Sequence, residues 1–261
     1  LVIGGGWTGL TAAAEAAESG YEVVLVEKAD KLGGAANNIP MGSPLASPWT
    51  DKQPTNVADK ISKVLGNSKI AVHMNTRMEK LEGQPGEFKA TFVTPAGSQT
   101  IEVGAVVLAT GWVPLDPQYL ASMGLGQSTK VVDAATFGKM LVADQVSARR
   151  IAFVLDTTIA EEAVKKAAEE AEAAPVEEAA KPAEGEEKGY VKANLESFRH
   201  VTYSNAVNSV GMLRLANTVC EKTNDTCQTF ILYKDMTVPG ILERFYKKMQ
   251  ERLGVMMTKA D

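Results

Sequence analysis

Residues able to do chemistry gather in the first 34 positions: Gly4-Gly5-Gly6-Trp7-Thr8-Gly9, then Ala13, Gly20, Glu27 and the pair Gly33-Gly34. That set and spacing could hold an adenine dinucleotide, binding its phosphates through backbone N–H groups. Gly4 allows a tight turn, Gly6 lets the backbone approach a pyrophosphate, and Gly9 lets the following helix pack against a sheet. Glu27 can accept both hydroxyls of the adenosine ribose, and its charge disfavours a 2′-phosphate, so NADP is not expected here. The elements that must position these groups can be read from the same stretch. Leu1-Val2-Ile3 end a buried strand, Ala12, Ala13, Ala14, Ala16 and Ala17 make a thin helix, Gly20 turns it, and Tyr21 to Val26 form a second strand ending at Glu27. The phosphates would then lie on the helix N-terminus, where free N–H groups and the positive dipole end favour an anion. A glycine turn that serves packing alone is the competing reading.

A glycine pair six residues past the ribose acid, Gly33-Gly34, resembles the extended FAD fingerprint of flavoproteins with two dinucleotide domains. Ala105-Val106-Val107-Leu108-Ala109-Thr110-Gly111 is an apolar strand stopping at Thr-Gly, and it resembles the motif by which such flavoproteins pass the chain beside the flavin. These resemblances imply FAD as the cofactor. The candidate binding residues are Gly4, Gly6, Trp7, Thr8, Gly9, Glu27, Lys28, Gly33, Gly34, Thr110 and Gly111; no catalytic residue is assigned and no metal site is expected.

Composition bounds the rest. With 261 residues, 45% of them hydrophobic, the chain can bury two modest cores. No run approaches the ~20 apolar residues of a membrane helix and no signal peptide is evident, which points to a cytoplasmic protein with any membrane association running through a partner. The net charge of −5 is concentrated: residues 160 to 189 hold ten Glu and four Lys. No basic patch supports nucleic-acid binding. This Ala/Glu/Lys/Pro stretch, broken by Pro175 and Pro182, is expected over 159–190 as a solvated, partly helical or disordered insertion; docking to a partner is the minority reading. Cys220 and Cys227, with six residues between them, fit no familiar ligand spacing and read as buried or idle thiols.

The chain therefore reads as α/β: a Rossmann-like FAD-binding domain with a β-meander over 1–149, then a second parallel α/β unit over 150–261 carrying the acidic insertion. Ser68 to Met74 is a strand, and residues 77 to 103 are short strands with turns at Gly83-Gln84-Pro85-Gly86 and Pro95-Ala96-Gly97. The second unit is expected to contain strands Ile151 to Leu155, His200 to Ser204, Thr229 to Tyr233 and Val255 to Thr258, with helices near Val207 to Lys222 and Ile241 to Leu253. Its first strand is followed by Asp156-Thr157-Thr158 rather than a glycine loop, so pyridine-nucleotide binding is not expected there. The abrupt start, without Met, and the missing Gly-Asp segment of such flavoproteins lead us to expect an excerpt of a longer chain.

Gly4 to Gly34, Ser68 to Val93, Val106 to Gly111, Val131 to Leu141, and Tyr233-Lys234-Asp235 through Gly240, Glu243 and Tyr246 resemble the flavoprotein subunit of heterodisulfide reductase. Within that superfamily, Gly-Gly-Gly-Trp-Thr-Gly and the scarcity of cysteine look most like flavoprotein subunits of the quinone-interacting membrane-bound oxidoreductase. The resemblance spans most of the chain except residues 159 to 195. Cysteines usual in that family between Gly34 and Ile61 are replaced here by Ser43-Pro44-Leu45-Ala46-Ser47-Pro48-Trp49, the ferredoxin-like cysteine insertion is absent, and Tyr203 to Val207 contains no cysteine. The resemblance thus implies an FAD subunit relaying electrons between iron–sulfur or quinone-linked partner subunits, without direct heterodisulfide chemistry. The rivals are a self-sufficient NAD(P)H-dependent flavin reductase of the disulfide-reductase type and a non-catalytic assembly module. His73 and His200 read as surface or internally satisfied histidines, Trp7 and Trp112 as cofactor covers or packing residues, and Trp49 as a lid or interface residue. No Gly-x-Ser-x-Gly elbow supports a serine nucleophile.

Overall fold

The computed structural model describes residues 1–39, 41–112, 117–155, 200–234, 236, 240–253 and 256–259. The acidic stretch 159–190 and Asp156-Thr157-Thr158 lie outside the described residues. The chain divides into two compact units, Leu1–Gly42 with Gln53–Pro114, and Ser43–Lys52 with Leu115–Asp261. These units follow compactness, whereas the partition at 149/150 follows strand pattern; the two criteria assign residues 43–52 and 115–149 differently.

In the first unit, alanine makes a helix that is both intrinsically favourable and narrow. Helix α1 (Trp7–Glu18) buries Gly9, Leu10, Ala13, Ala14 and Ala17 on one side. It ends in a Schellman turn: Tyr21 N donates to Ala16 O, Gly20 N donates to Ala17 O, and Gly20 takes φ 101°, which a glycine adopts without a steric penalty. Strands β1 (Val2–Ile3) and β2 (Val23–Val26) flank this helix in sequence. Beyond them come a 3-10 turn at Gly34–Asn38 and the antiparallel pair β3 (Met41–Gly42) and β4 (Gln53–Pro54). Helix α2 (Val57–Leu65) and strand β5 (Ile70–His73) follow, then the meander β6 (Arg77–Glu82), β7 (Phe88–Thr94) and β8 (Gly97–Val103), and finally β9 (Val107–Leu108).

The parallel sheet runs β5-β2-β1-β9, with Val2 opposite both Leu25 and Val107 and Val23 opposite Ile70. Alternation along β2 builds three layers. Val23 and Leu25 join Leu10, Ala13 and Val64 beneath the helices, while Val26 packs on the opposite face with Ala90 and Phe92 of the meander. Because β1 is central and the chain leaves it in opposite directions, toward β2 and β9, a crevice is expected at the carboxyl ends of these strands.

The second unit is built on a separate parallel sheet. After a 3-10 segment at Pro117–Met123 and helix α3 (Ala134–Val142), strand β10 (Arg150–Leu155) leads to helix α4 (His200–Lys222), strand β11 (Gln228–Tyr233), helix α5 (Glu243–Leu253) and strand β12 (Met256–Lys259). The order is β10-β11-β12, all parallel. Phe153, Ile231, Leu213, Ala216 and Val219 form its core, and Phe137 meets Phe153 edge-on at 5.4 Å and 81°. A smaller cluster of Val210, Phe245 and Met249 joins α4 to α5. Lys52 pairs with Glu221 at 2.6 Å and Lys248 with Asp51, which ties the 43–52 segment to this unit.

One expectation is corrected. No strand forms at His200–Ser204; those residues are the first turns of α4. β-Branched and aromatic side chains favour a strand in a five-residue window, yet no glycine or proline separates Ser204 from Val207. Extending a helix adds a hydrogen bond per residue without a new nucleation cost, so the helix runs through.

Helix α3 has a side-chain cap that offers a test of local stability. Asp133 accepts from Ala135 N and Thr136 N, both at 2.9 Å, and from Thr136 Oγ1 at 2.7 Å. Desolvation opposes the charge, but the bonds from Thr136 and Ala135 together hold this carboxyl below its ordinary value. Asp133→Ala should cost about 1 kcal/mol at neutral pH. The folded-state pKa is depressed, so the cap's contribution is complete above the unfolded aspartate range and fades as pH falls through it. Amide exchange across residues 135–141, measured at neutral and acid pH in both proteins, checks the magnitude and the direction.

Candidate functional site

The glycine turn sits where β1 hands over to α1. Gly4 N donates to Val26 O at 2.8 Å and Leu10 N to Gly6 O at 2.9 Å, so the turn is pinned to β2 on one side and enters the helix on the other. Three glycines are there for different reasons. A Cβ on Gly4, whose φ is 106°, would lie 2.3 Å from Ala109 O, and one on Gly9 would lie 1.8 Å from Gly4 O. Both are therefore demanded by the protein's own backbone. Gly6 differs: its φ of −76° and ψ of −175° suit any residue, and a Cβ there would meet no atom within 4 Å. The space beside Gly6 is open, and α1 carries no acidic residue in its first turn to compete for the N–H groups that face it.

Gly33 and Gly34 come to the same place. Gly33 N donates to Gly5 O at 2.8 Å, Gly6 and Gly33 form an isolated parallel bridge, and a Cβ on Gly34 would stand 3.3 Å from Gly6 Cα. Their φ angles of 100° and 51° lie in the left-handed region that favours glycine. The pair thus lines a second edge of the glycine turn.

Glu27 is 8% exposed, and its carboxylate braces the turn. Gly5 N donates to Oε2 at 2.6 Å and Ala29 N donates to Oε1 at 2.8 Å. A carboxylate offers about four lone-pair sites, so each oxygen has capacity for a further donor beside these two bonds. Lys28, next along, is exposed. On the other side of β1, Ala109 N donates to Ile3 O at 2.8 Å, which brings Thr110 and Gly111 to the end of β9 beside Gly4. Both are exposed, as is Trp112, and Gly111 has φ 69°. Thr8 is exposed on the first turn of α1.

Trp7 is held more tightly than the sequence indicates. Its Nε1 donates to Thr55 O at 2.8 Å, Thr55 Oγ1 donates to Ile39 O at 2.7 Å, and Lys60 Nζ lies 4.4 Å from the indole ring centroid. Neither Thr55 nor Lys60 belongs to a motif, and only the fold brings them to Trp7. His73 ends β5, with its ring 6.3 Å from that of Phe92, among packing residues.

Cys220 and Cys227 are free and buried; Cys220 Sγ is 3.3 Å from Thr229 Oγ1. Burial first, and Cys220 second, push the Cys227 thiol up. A recess of about 300 Å³ in the second unit, lined by Val146, Arg149, Thr223 and Thr226 among others, has neither a glycine turn nor a buried acid. Among the described residues no group of three or more His, Cys, Asp or Glu could hold a metal ion, and no helix is long and apolar enough to cross a membrane.

Comparison with known families agrees with the strand–turn–helix–strand geometry at the start of the chain. Residues 2–51 match the family described as NAD(P)-binding Rossmann-like domain. No curated protein matches the chain significantly. Solved structures similar to it include the p-nitrophenol 4-monooxygenase of Pseudomonas putida DLL-E4, with 16% identity, TM-score 0.33, and coverage of 42% of this chain and 40% of that one. The L-proline dehydrogenase of P. horikoshii is 18% identical, with TM-score 0.41 and coverage of 63% and 32%. The bacillithiol disulfide reductase of Bacillus cereus is 12% identical, with TM-score 0.46 and coverage of 99% and 66%. The chain thus spans less than two thirds of the length of each. It is a mixed α/β protein containing a Rossmann-like nucleotide-binding domain.

Proposed function

We propose that this chain is an FAD-binding electron-transfer subunit of a heterodisulfide reductase-like or quinone-interacting oxidoreductase. The observation that carries the reading is Gly6, a glycine that neither backbone conformation nor packing requires. A dinucleotide diphosphate lying on the N-terminus of α1 does require it, because a side chain would occupy the phosphate path. The residues present fit such a group. First-turn N–H groups of α1 would hold the diphosphate, Gly33 and Gly34 would leave its approach clear, Glu27 would accept from the ribose, and Thr110-Gly111 would lie toward the remainder. FAD, when bound, supplies the capacity to accept and release electrons. The chain's own residues bind it, orient it and set its electrostatic surroundings.

Relay between partners is favoured over a self-sufficient dithiol reductase by the two thiols. They are the only cysteines in the sequence, both are buried, and Cys227 is pushed away from the thiolate form that exchange chemistry needs. Electrons therefore enter and leave through partner centres, for which iron–sulfur or quinone-linked subunits are the proposed class. Stopped-flow mixing of the flavin-loaded protein with NADH or NADPH tests this. The expected result is little flavin bleaching without partners; rapid bleaching by either nucleotide alone would favour the self-sufficient reductase instead.

A further inference from the structure

Lys60 stands out among the lysines near the site. It is half-buried, its Nζ lies over the indole of Trp7, and no carboxylate among the described residues pairs with it. Lys63, one turn further along the same helix, does pair with an acid, Glu18. Trp7 is the first residue of α1 and follows Gly6 directly, so the ring that carries the ammonium is rooted at the phosphate-facing end of the helix. That ring is not free to swing, because its N–H is tied to Thr55 O. The two oxygens of Glu27, the buried acid of the turn, are already engaged by Gly5 N and Ala29 N.

The residue that roots this ring, Trp7, opens α1. The N-terminus of a helix is its positive end, where a cation is disfavoured and an anion is stabilised. The aromatic face offsets part of that repulsion. A diphosphate would offset the rest, since it would meet the helix N-terminus and the ammonium together. We infer that Lys60 is a further cofactor-binding residue: held over the Trp7 ring, its ammonium pairs with the diphosphate of the dinucleotide bound at Gly4–Gly9. The inference rests on the dinucleotide reading of the site and adds a charge contact from α2 that no glycine motif contains.

The test is a binding titration of the whole protein with FAD, and separately with ADP, at low and high salt. ADP carries the adenosine and diphosphate but no flavin, so it probes the charge contact whichever redox group completes the occupant. Lys60→Met should weaken both ligands about tenfold at low salt and flatten the salt dependence, because a screened ion pair has been removed. Lys60→Arg should stay within about threefold of wild type, since the charge and the aromatic contact both persist. Lys63→Met should leave binding unchanged, and melting curves control for folding. Unchanged affinity and salt dependence in Lys60→Met for both ligands would overturn the inference while leaving the FAD reading intact. ADP binding that depends on Lys60, with no FAD binding by wild type, would uphold the ion pair and overturn FAD as the occupant. Failure of wild type to bind either ligand would overturn both.

Discussion

Gly6→Val is expected to abolish FAD binding, by at least about a hundredfold, while leaving the thermal stability of the protein close to wild type. The protein itself has room for the change: Gly6 has ordinary dihedrals and a Cβ would meet nothing within 4 Å. On the proposed reading, only the cofactor's diphosphate would clash. The neighbouring glycines should behave in the opposite manner. Gly9→Ala would place a Cβ 1.8 Å from Gly4 O, and Gly4→Ala would combine a 2.3 Å contact to Ala109 O with a left-handed φ of 106°. Backbone atoms cannot yield as flexible side chains do, so each should destabilise the first unit by about 3 kcal/mol or more. Chemical denaturation and FAD titration on the three variants separate a ligand glycine from structural glycines. Equal loss of stability in all three would mean that Gly6 is structural after all.

Glu27→Ala is expected to cost about 2–4 kcal/mol of stability and to weaken FAD binding as well. The two effects have separate origins. Removing the carboxylate leaves the N–H groups of Gly5 and Ala29 without the acceptors they meet at 2.6 and 2.8 Å, in a place where Glu27 is nearly inaccessible to water. Affinity falls because the ribose loses its acceptor and because the turn that presents the N–H groups is no longer braced. Glu27→Gln should recover part of the stability, since one amide oxygen can still accept while the NH2 group cannot. Denaturant midpoints with and without FAD measure both. A ligand-free midpoint equal to wild type in Glu27→Ala would remove the bracing role.

These expectations show where the sequence was informative. Gly4, Gly6, Gly9, Glu27 and Gly33-Gly34 are legible because a strand–turn–helix–strand unit is local: spacing alone brings the acid and the glycines to one end of a sheet. The meander was legible for the same reason, with Gly83, Gly86 and Gly97 all at positive φ in its turns. What spacing did not disclose is long-range. Glu27 reads as a ribose acceptor, yet in the fold its carboxylate also braces Gly5 and Ala29. Lys60 looks like any helical lysine until α2 packs on α1 and sets it over Trp7. At the start of α4 local propensity misleads, because His200–Ser204 is too short a window to outweigh helix continuation.

Whether the glycine turn of the first unit holds FAD is decided by equilibrium binding of FAD to the protein. One FAD per chain is expected, with the flavin spectrum perturbed on binding and the cofactor absent from Gly6→Val. Wild-type protein that binds no FAD would overturn FAD as the occupant, and a Gly6→Val variant that retains it at wild-type occupancy would show that the turn is not the cofactor site.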